Sequence, residues 1–510
     1  MKKRMIKLLS LALVVLTAFY VVGCDMDALF APLTEIQPDV PSGEWDSPDD
    51  TTLVTNDNEN SYFYTEPSWT YFPGPSGGLE GFEGGEVVIL LPDTKEAHQS
   101  WYSGDIDTLL EEFVEIRNSA ATEAINVQLS FEFVSGTDFA SKKANILSMV
   151  SQDVVSDLHY YDVVSAPVDM LSDTALRGLL ANVNNDEFFP FFTFWLPCWN
   201  QTLVTECKVN GKLYFMSGAT EVSNMLDASV IWHNKTLYDE KKEATDHESM
   251  KELALDGLWT YDELYRWSAR LSGDTNGVGI EGEGKYPSAD AFRDAWDVRF
   301  IGEKMTGEFE LNDLSVDNNR AQNAFEMVKA LYSANGARLN ASAEEFASGK
   351  YMFYVGSFDS LKDAPDSVDT FELLPMPKYD INQAQYKTSI ENPMVSAAIN
   401  HDKSTKRTQG ETISAILQLI VEESYTGMFG NFGDHAPIEM NSENNKMIKQ
   451  IFENMQLTFV NMYAPQLAGL DSFWNDALIS GEELASAYSS KEAEYLAAIE
   501  DINRWFGLID

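Results

Sequence analysis

From residue 86 to the C-terminus, short apolar runs of strand character alternate with stretches of helical spacing, and this alternation constrains the fold more than any other property of the chain. Val87, Val88, Ile89, Leu90 and Leu91 form the continuous apolar run of a strand buried on both faces. Residues 105–117 then place Leu109, Leu110, Phe113 and Ile116 at helical spacing. Ile125, Val127, Leu129, Phe131 and Phe133 alternate with period two, 139–150 read as a helix and 161–164 as a short strand. Strand, helix, strand, helix, strand implies right-handed crossovers and a largely parallel sheet, so the expected fold class is α/β. Ligands of such sheets sit in loops at the carboxyl ends of strands, which nominates residues 92–101 and 165–170.

The 425 residues from Glu86 to Asp510 exceed what one hydrophobic core usually serves, so at least two lobes are expected. In the second part, Thr260 and Glu263 have the spacing of a capping box ahead of Leu264, Trp267 and Leu271. Ala321, Ala324, Phe325, Val328, Leu331 and Tyr332 give another amphipathic helix. Strand character returns at 351–355, 371–374 and 394–399, and residues 411–510 read as a long helical tail. No repeat with a period of 20–50 residues is visible.

The N-terminus fixes the compartment. Lys2, Lys3, Arg4 and Lys7 precede a run of fifteen mostly apolar residues, 8–22, which is shorter than the roughly 20 a spanning helix needs. Val21-Val22-Gly23-Cys24 resembles a lipobox, in which Cys24 is acylated and becomes the new N-terminus, although valine at the first two positions departs from the commoner residues. Residues 1–24 are therefore expected to be a lipoprotein signal peptide, and the mature chain to be lipid-anchored on the outer face of a bacterial cell membrane. Residues 25–85 contain no Lys or Arg, thirteen Asp or Glu and seven of the 18 prolines, the composition of a disordered acidic linker. Such a tether spans roughly 45 Å on average. Its aromatics Tyr62, Phe63, Tyr64, Trp69, Tyr71 and Phe72 leave docking on the domain open. Residues 74–78 match G-x-S-x-G but lack the strand and helix that a nucleophile elbow requires.

The net charge of −46 becomes −50 once residues 1–23 and their four cations are removed, a surface that repels nucleic acid and favours a neutral or cationic ligand. Cys198 and Cys207 leave both a small-loop disulfide and two buried thiols open. The six histidines form no HExxH motif or close metal pair, and no cofactor is expected. Residues 274–279, Asp-Thr-Asn-Gly-Val-Gly, are similar to a calcium loop, but Val278 stands where an acid is needed and a turn is the expectation.

Several segments, taken in order, carry a resemblance. Residues 211–218 (GKLYFMSG) and 229–237 (SVIWHNKTL) are followed by 258–264 (LWTYDEL), 346–356 (FASGKYMFYVG), 374–380 (LPMPKYD) and Gln385-Tyr386. Their order and spacing behind a lipobox resemble the family 1 extracellular solute-binding proteins, the maltose-binding-protein-like lipoproteins of ABC importers. The resemblance implies a class II periplasmic-binding-protein-like fold: two discontinuous α/β lobes joined by hinge strands, with a ligand cleft between them. It places 86–220 plus 340–392 in the N-terminal lobe and 221–339 plus 393–510 in the C-terminal lobe. The crossings are expected near 217–229, 335–341 and 392–395. The implied function is capture of a small solute, a sugar or oligosaccharide, and its delivery to ABC permease subunits by a monomeric, non-enzymatic receptor. Peptide or polyamine binding is the alternative, and a two-carboxylate glycoside hydrolase a more distant one.

Site residues follow from position in that family. The loop after the third strand gives Pro167 and Asp169, the crossing segment gives Glu221, and the end of the later strand gives Gly356, Ser357 and Phe358. Trp296 and Trp474 are the candidate stacking platforms for a pyranose, each weighed against simple burial in the core.

Overall fold

A computed structural model describes residue 82 and residues 85–101, 108–304, 307–314, 319–401 and 407–509. The signal segment, Cys24 and all but residues 82 and 85 of the linker lie outside the described residues. The strands are β1 (Gly85–Pro92), β2 (Val127–Val134), β3 (Val163–Pro167), β4 (Ser229–Asn234), β5 (Asn276–Ile280), β6 (Ile301–Glu303), β7 (Phe309–Leu311), β8 (Ala337–Leu339), β9 (Tyr351–Ser357), β10 (Phe371–Pro375) and β11 (Met394–Ala398). They form a four-stranded sheet in the order β11-β3-β1-β2, a five-stranded sheet in the order β10-β4-β9-β5-β8, and the small β6-β7 pair.

In the first sheet β1 lies between β2 and β3, parallel to both, and so buries its apolar run on both faces. β2 is the edge, and its period-two pattern follows from that: Gln128 and Glu132 are exposed while Phe131 and Phe133 pack on Trp101 and His98. In the second sheet β9 is central, and Tyr351 to Val355 are all buried. Both sheets are mixed, since β11 runs antiparallel to β3 and β4 antiparallel to β9 and β10.

This pairing corrects the lobe boundaries. Residues 340–392, expected in the first lobe, contain β9 and β10 of the second sheet. Residues 393–510, expected in the second, open with β11, whose Ser396, Ala397 and Ala398 are small enough to lie flush on β3. The helix Arg407–Gly427 then packs on β1 and on the helix Leu109–Ile125. The segment 335–341 is no crossing, because β8 pairs with β5 inside the second sheet. The chain passes between sheets at 218–229 and 376–393, and it returns to β10 with the helix Ser442–Glu453.

Three local expectations also change. Thr260 begins the helix Tyr261–Arg270 without a side-chain cap, its neighbours Trp259 and Tyr261 bond the Lys378 backbone, and Glu263 pairs with Arg266. Residues 276–279 form part of β5, all buried, rather than a turn or an ion-binding loop. The tail is broken into the helices Arg407–Gly427, Ser442–Glu453, Phe459–Tyr463, Phe473–Ser480 and Leu484–Trp505. Cys198 and Cys207 are free and buried, and the Cys207 thiol donates to the Leu457 carbonyl at 3.7 Å.

The first crossing is held rigidly. Gly218 pairs with Trp199, and a Cβ at Gly218 would lie 2.3 Å from the Cys198 carbonyl oxygen, so only glycine permits this approach. Next to it, Glu221 is 2% exposed and accepts from the Gly218 N–H at 2.9 Å and the Ser396 hydroxyl at 2.6 Å. Arg117, equally buried, donates to the Thr220 carbonyl at 3.0 Å, the Ser424 hydroxyl at 2.7 Å and the Ser100 carbonyl. Burial pushes the Glu221 carboxyl up to about 7 against the pull of these hydrogen bonds and of Arg117. A half-satisfied charge here would be costly, and the full set of partners is what lets these groups remain inside.

Candidate functional site

Between the two lobes lies a cavity of about 760 Å³, in the size range of a small-molecule cleft. Its wall is assembled from ends of strands and from the crossings. On the first-lobe side β3 ends at Pro167, and Val168 donates its N–H to the Pro393 carbonyl at 2.9 Å, tying the end of β3 to the start of β11. The helix Val168–Leu176 begins there, and Asp169 in its first turn faces the cavity while its N–H donates to Asn392 Oδ1 at 3.2 Å. On the second-lobe side the end of β9 supplies Val355, Gly356 and Ser357, and the residue after β5 supplies Glu281. Glu281 is fixed at both ends: its N–H donates to the Val355 carbonyl at 2.9 Å and its carboxylate accepts from the Ser360 hydroxyl.

The floor is an ion-pair knot on the short helix Ala289–Ala295. Arg293 donates to Asp290 at 2.6 Å, to Asp294 at 2.8 Å and to the Asp471 carbonyl at 2.9 Å. Asp294 also accepts from the Ser389 hydroxyl at 2.6 Å, and Asp290 accepts from the Asn475 amide. Burial alone would lower the Arg293 guanidinium; Asp290 and Asp294 outweigh it and hold the charge in place. Burial raises the Asp290 carboxyl to about 6, with Arg293 opposing and Asp294, Glu391 and Asp471 adding to the rise. Asp169 is raised by burial and then by Asp471 and Glu391, with only Lys143 opposing. Asp227 rises to about 6 for the same first reason, although its outer surface is open to solvent, which screens its neighbours.

In total the wall carries eight carboxyl groups, those of Asp169, Asp227, Glu281, Glu283, Asp290, Asp294, Glu391 and Asp471, against the single cation Arg293. Among the described residues no aromatic side chain lines it. A smaller cavity of about 340 Å³ lies within the first lobe beside Leu180, Phe188 and Tyr214. Lobe closure cannot act on it, so the cleft is the better solute site.

Of the residues nominated from sequence, Asp169, Gly356 and Ser357 come together on the cleft wall. Pro167 stands one residue behind, at the buried end of β3. Glu221 is buried in the crossing network. Phe358 packs against Trp232 and Phe432, Trp296 against Tyr261 and Phe292, and Trp474 against Phe325, all three with no exposed surface. Asp227, Glu281, Asp290, Glu391 and Asp471 went unnominated. Three of them carry a readable signal: an acid two residues before β4, directly after β5, or shortly before β11.

No protein-family model and no curated protein sequence matches the chain. Among solved structures it is similar to a cyclo/maltodextrin-binding protein complexed with maltotetraose, at 14% identity and a TM-score of 0.50, covering 84% of this chain and 99% of that one. UgpB from Mycobacterium tuberculosis in complex with glycerophosphocholine gives 14% identity and a TM-score of 0.48, over 82% of this chain and all of that one. The maltose/maltodextrin-binding domain MalE from Bdellovibrio bacteriovorus bound to maltotriose gives 13% and 0.45, over 82% and 100%. The first of these likenesses, together with the two sheets and the cleft, defines the class of fold: the two-lobe solute-binding fold.

Proposed function

We propose that this chain is the solute receptor of a bacterial ABC importer, held outside the cell by a lipid on Cys24. Its lobes close on a small polar solute of the sugar or oligosaccharide class and present it to the permease subunits. The observation that carries the reading is the 760 Å³ cavity placed between two lobes, where carboxylates, hydroxyls and amides converge from strand ends and crossings. Sugar hydroxyls are met by such groups. In this reading the first lobe comprises β1–β3, β11 and the helix Arg407–Gly427, the second comprises β4–β10, and motion is concentrated at 218–229, 376–393 and 428–441. Among the described residues no helix is long and apolar enough to cross a membrane.

Capture proceeds without turnover in this reading. The Asp290 and Asp294 carboxylates are engaged by Arg293, Ser389 and Asn475. The test is thermal unfolding of the full chain in detergent against sugars, oligosaccharides, peptides and polyamines. A ligand at a hundred times its dissociation constant adds about 2.7 kcal/mol of stability. A rise in midpoint with stoichiometric, product-free calorimetric binding is expected. Release of shortened products would replace the receptor with a hydrolase.

A further inference from the structure

We propose that the cleft is built for a solute carrying at least two protonated amino groups. The inference deepens the receptor reading and rests on it. The acidity of the wall is not merely that of the chain: 8 of the 26 residues lining the cavity are acidic, against 81 of 510 overall. The one cation among them is spent, because the Nε and Nη1 atoms of Arg293 are committed to Asp294, Asp290 and the Asp471 carbonyl. That leaves Asp169, Glu391 and Asp471 on the wall from three separate segments, where burial and then Asp471 and Glu391 raise Asp169 against the pull of Lys143. Glu391 acts in the same way on Asp227 and Asp290. Like charges converging on a closing cleft oppose closure unless the ligand brings positive charge.

Two further observations narrow the chemistry. Among the described residues no three His, Cys, Asp or Glu side chains converge as metal ligands, so the charge calls for an extended organic cation rather than one metal ion. The absence of aromatic lining fits as well, since a neutral pyranose has no ring to cover its C–H face here.

Protonated amines reach such a cleft either on an aminated saccharide or on an aliphatic polyamine, and the titration separates the two. The full chain is titrated calorimetrically with a glucosamine trisaccharide, with spermidine, and with maltotriose and cellotriose as neutral controls. Binding of one amine series is expected, weakening steeply between about 0.05 and about 0.5 M salt. Glu391→Gln and Asp169→Asn are each expected to weaken it about tenfold, with unligated melting points no lower as the folding control. Neutral saccharides that bind as tightly as their aminated counterparts, or that bind while both amines fail, would overturn the inference and leave the receptor reading standing. Silence from the whole panel would remove both. Salt dependence in the unaltered protein keeps the test decisive should a variant fail to fold.

Discussion

The Ser396 hydroxyl on β11 lies 2.6 Å from the Glu221 carboxylate in the first crossing, and the Ser165 hydroxyl on β3 lies 3.0 Å from Ser396. A hydroxyl has one proton and an ionised carboxylate only accepts, so while Glu221 is charged Ser396 gives its proton to it and Ser165 supplies the one between the serines. Trp101 Nε1 completes the chain by donating to Ser165 at 2.9 Å. Ser396→Ala leaves two of these buried groups short of a partner and is expected to cost about 1–3 kcal/mol in urea unfolding.

Glu221 also sets a pH dependence of the apo protein. Its folded pKa, about 7, stands above the ordinary 4.5, so the folded state holds a proton that the unfolded state has lost across that window. Stability is therefore greatest near the lower limit and falls as pH rises towards 7. The whole effect is on the order of 3 kcal/mol at about 1.4 kcal/mol per unit, and Glu221→Gln is expected to flatten it. Urea unfolding at about pH 5 and pH 7.5 measures both slopes; a stability that rises over this interval in the unaltered protein would contradict the assignment.

The two nominated tryptophans should separate in stability. Trp296 donates its indole N–H to the Pro377 carbonyl at 3.1 Å, whereas the Trp474 N–H is buried without an acceptor. Substitution by alanine is expected to cost about 3–5 kcal/mol at either site, because both are fully buried. Substitution by phenylalanine should cost less at Trp474 than at Trp296, since the former also removes an unpaired donor. Thermal or urea unfolding of the two phenylalanine variants gives the order; equal losses would mean that the Trp296 hydrogen bond contributes nothing net.

The same residues show how far the sequence could be read. The first sheet was legible because the β1 run and the β2 alternation are direct imprints of a buried centre and a half-covered edge. The fold class was legible too, and the likeness in fold to a solved structure at 14% identity agrees with it. Lobe membership of 340–398 was not, because strand patterning reports burial and not which of two sheets a strand joins. The cleft aromatics were misplaced for a related reason: Trp296, Trp474 and Phe358 carry no mark that separates a stacking platform from a core residue. Asp169, Gly356 and Ser357 were reachable because strand ends point to clefts, and extending that rule to acids beside β4, β5 and β11 would have found Asp227, Glu281 and Glu391.

Two glycines test the crossing and the wall. At Gly218 an added Cβ meets the Cys198 backbone carbonyl at 2.3 Å, and at Gly356 it meets Glu281 Oε2 at 2.4 Å and Ser360 Oγ at 2.7 Å. Backbone cannot step aside, but the ends of side chains can. Gly218→Ala is therefore expected to lose at least about 2–3 kcal/mol of stability. Gly356→Ala should lose less than about 1 kcal/mol in unfolding while displacing the Glu281 carboxylate from the wall, and so weaken solute binding in calorimetry.

Acidification should move affinity and stability in opposite directions. Asp290, raised to about 6 by burial and by Asp294, Glu391 and Asp471 against Arg293, is charged at pH 7.5 and largely neutral at pH 5. Asp227 follows the same direction, facing Glu96, Asp359 and Glu391 against Lys95, with its open side screened by water. Protonation removes charges that an amine-bearing solute would use, so its affinity is expected to fall about tenfold or more from pH 7.5 to pH 5. A neutral solute should lose little. Because Glu221 and these aspartates bind protons more tightly folded than unfolded, the apo protein becomes more stable over the same interval. Loss of binding at pH 5 therefore cannot come from unfolding, and calorimetry paired with unfolding at the two pH values separates the causes. Asp290→Asn should reduce the pH dependence of binding substantially; an unchanged profile would move the titration to Asp169 or Asp227.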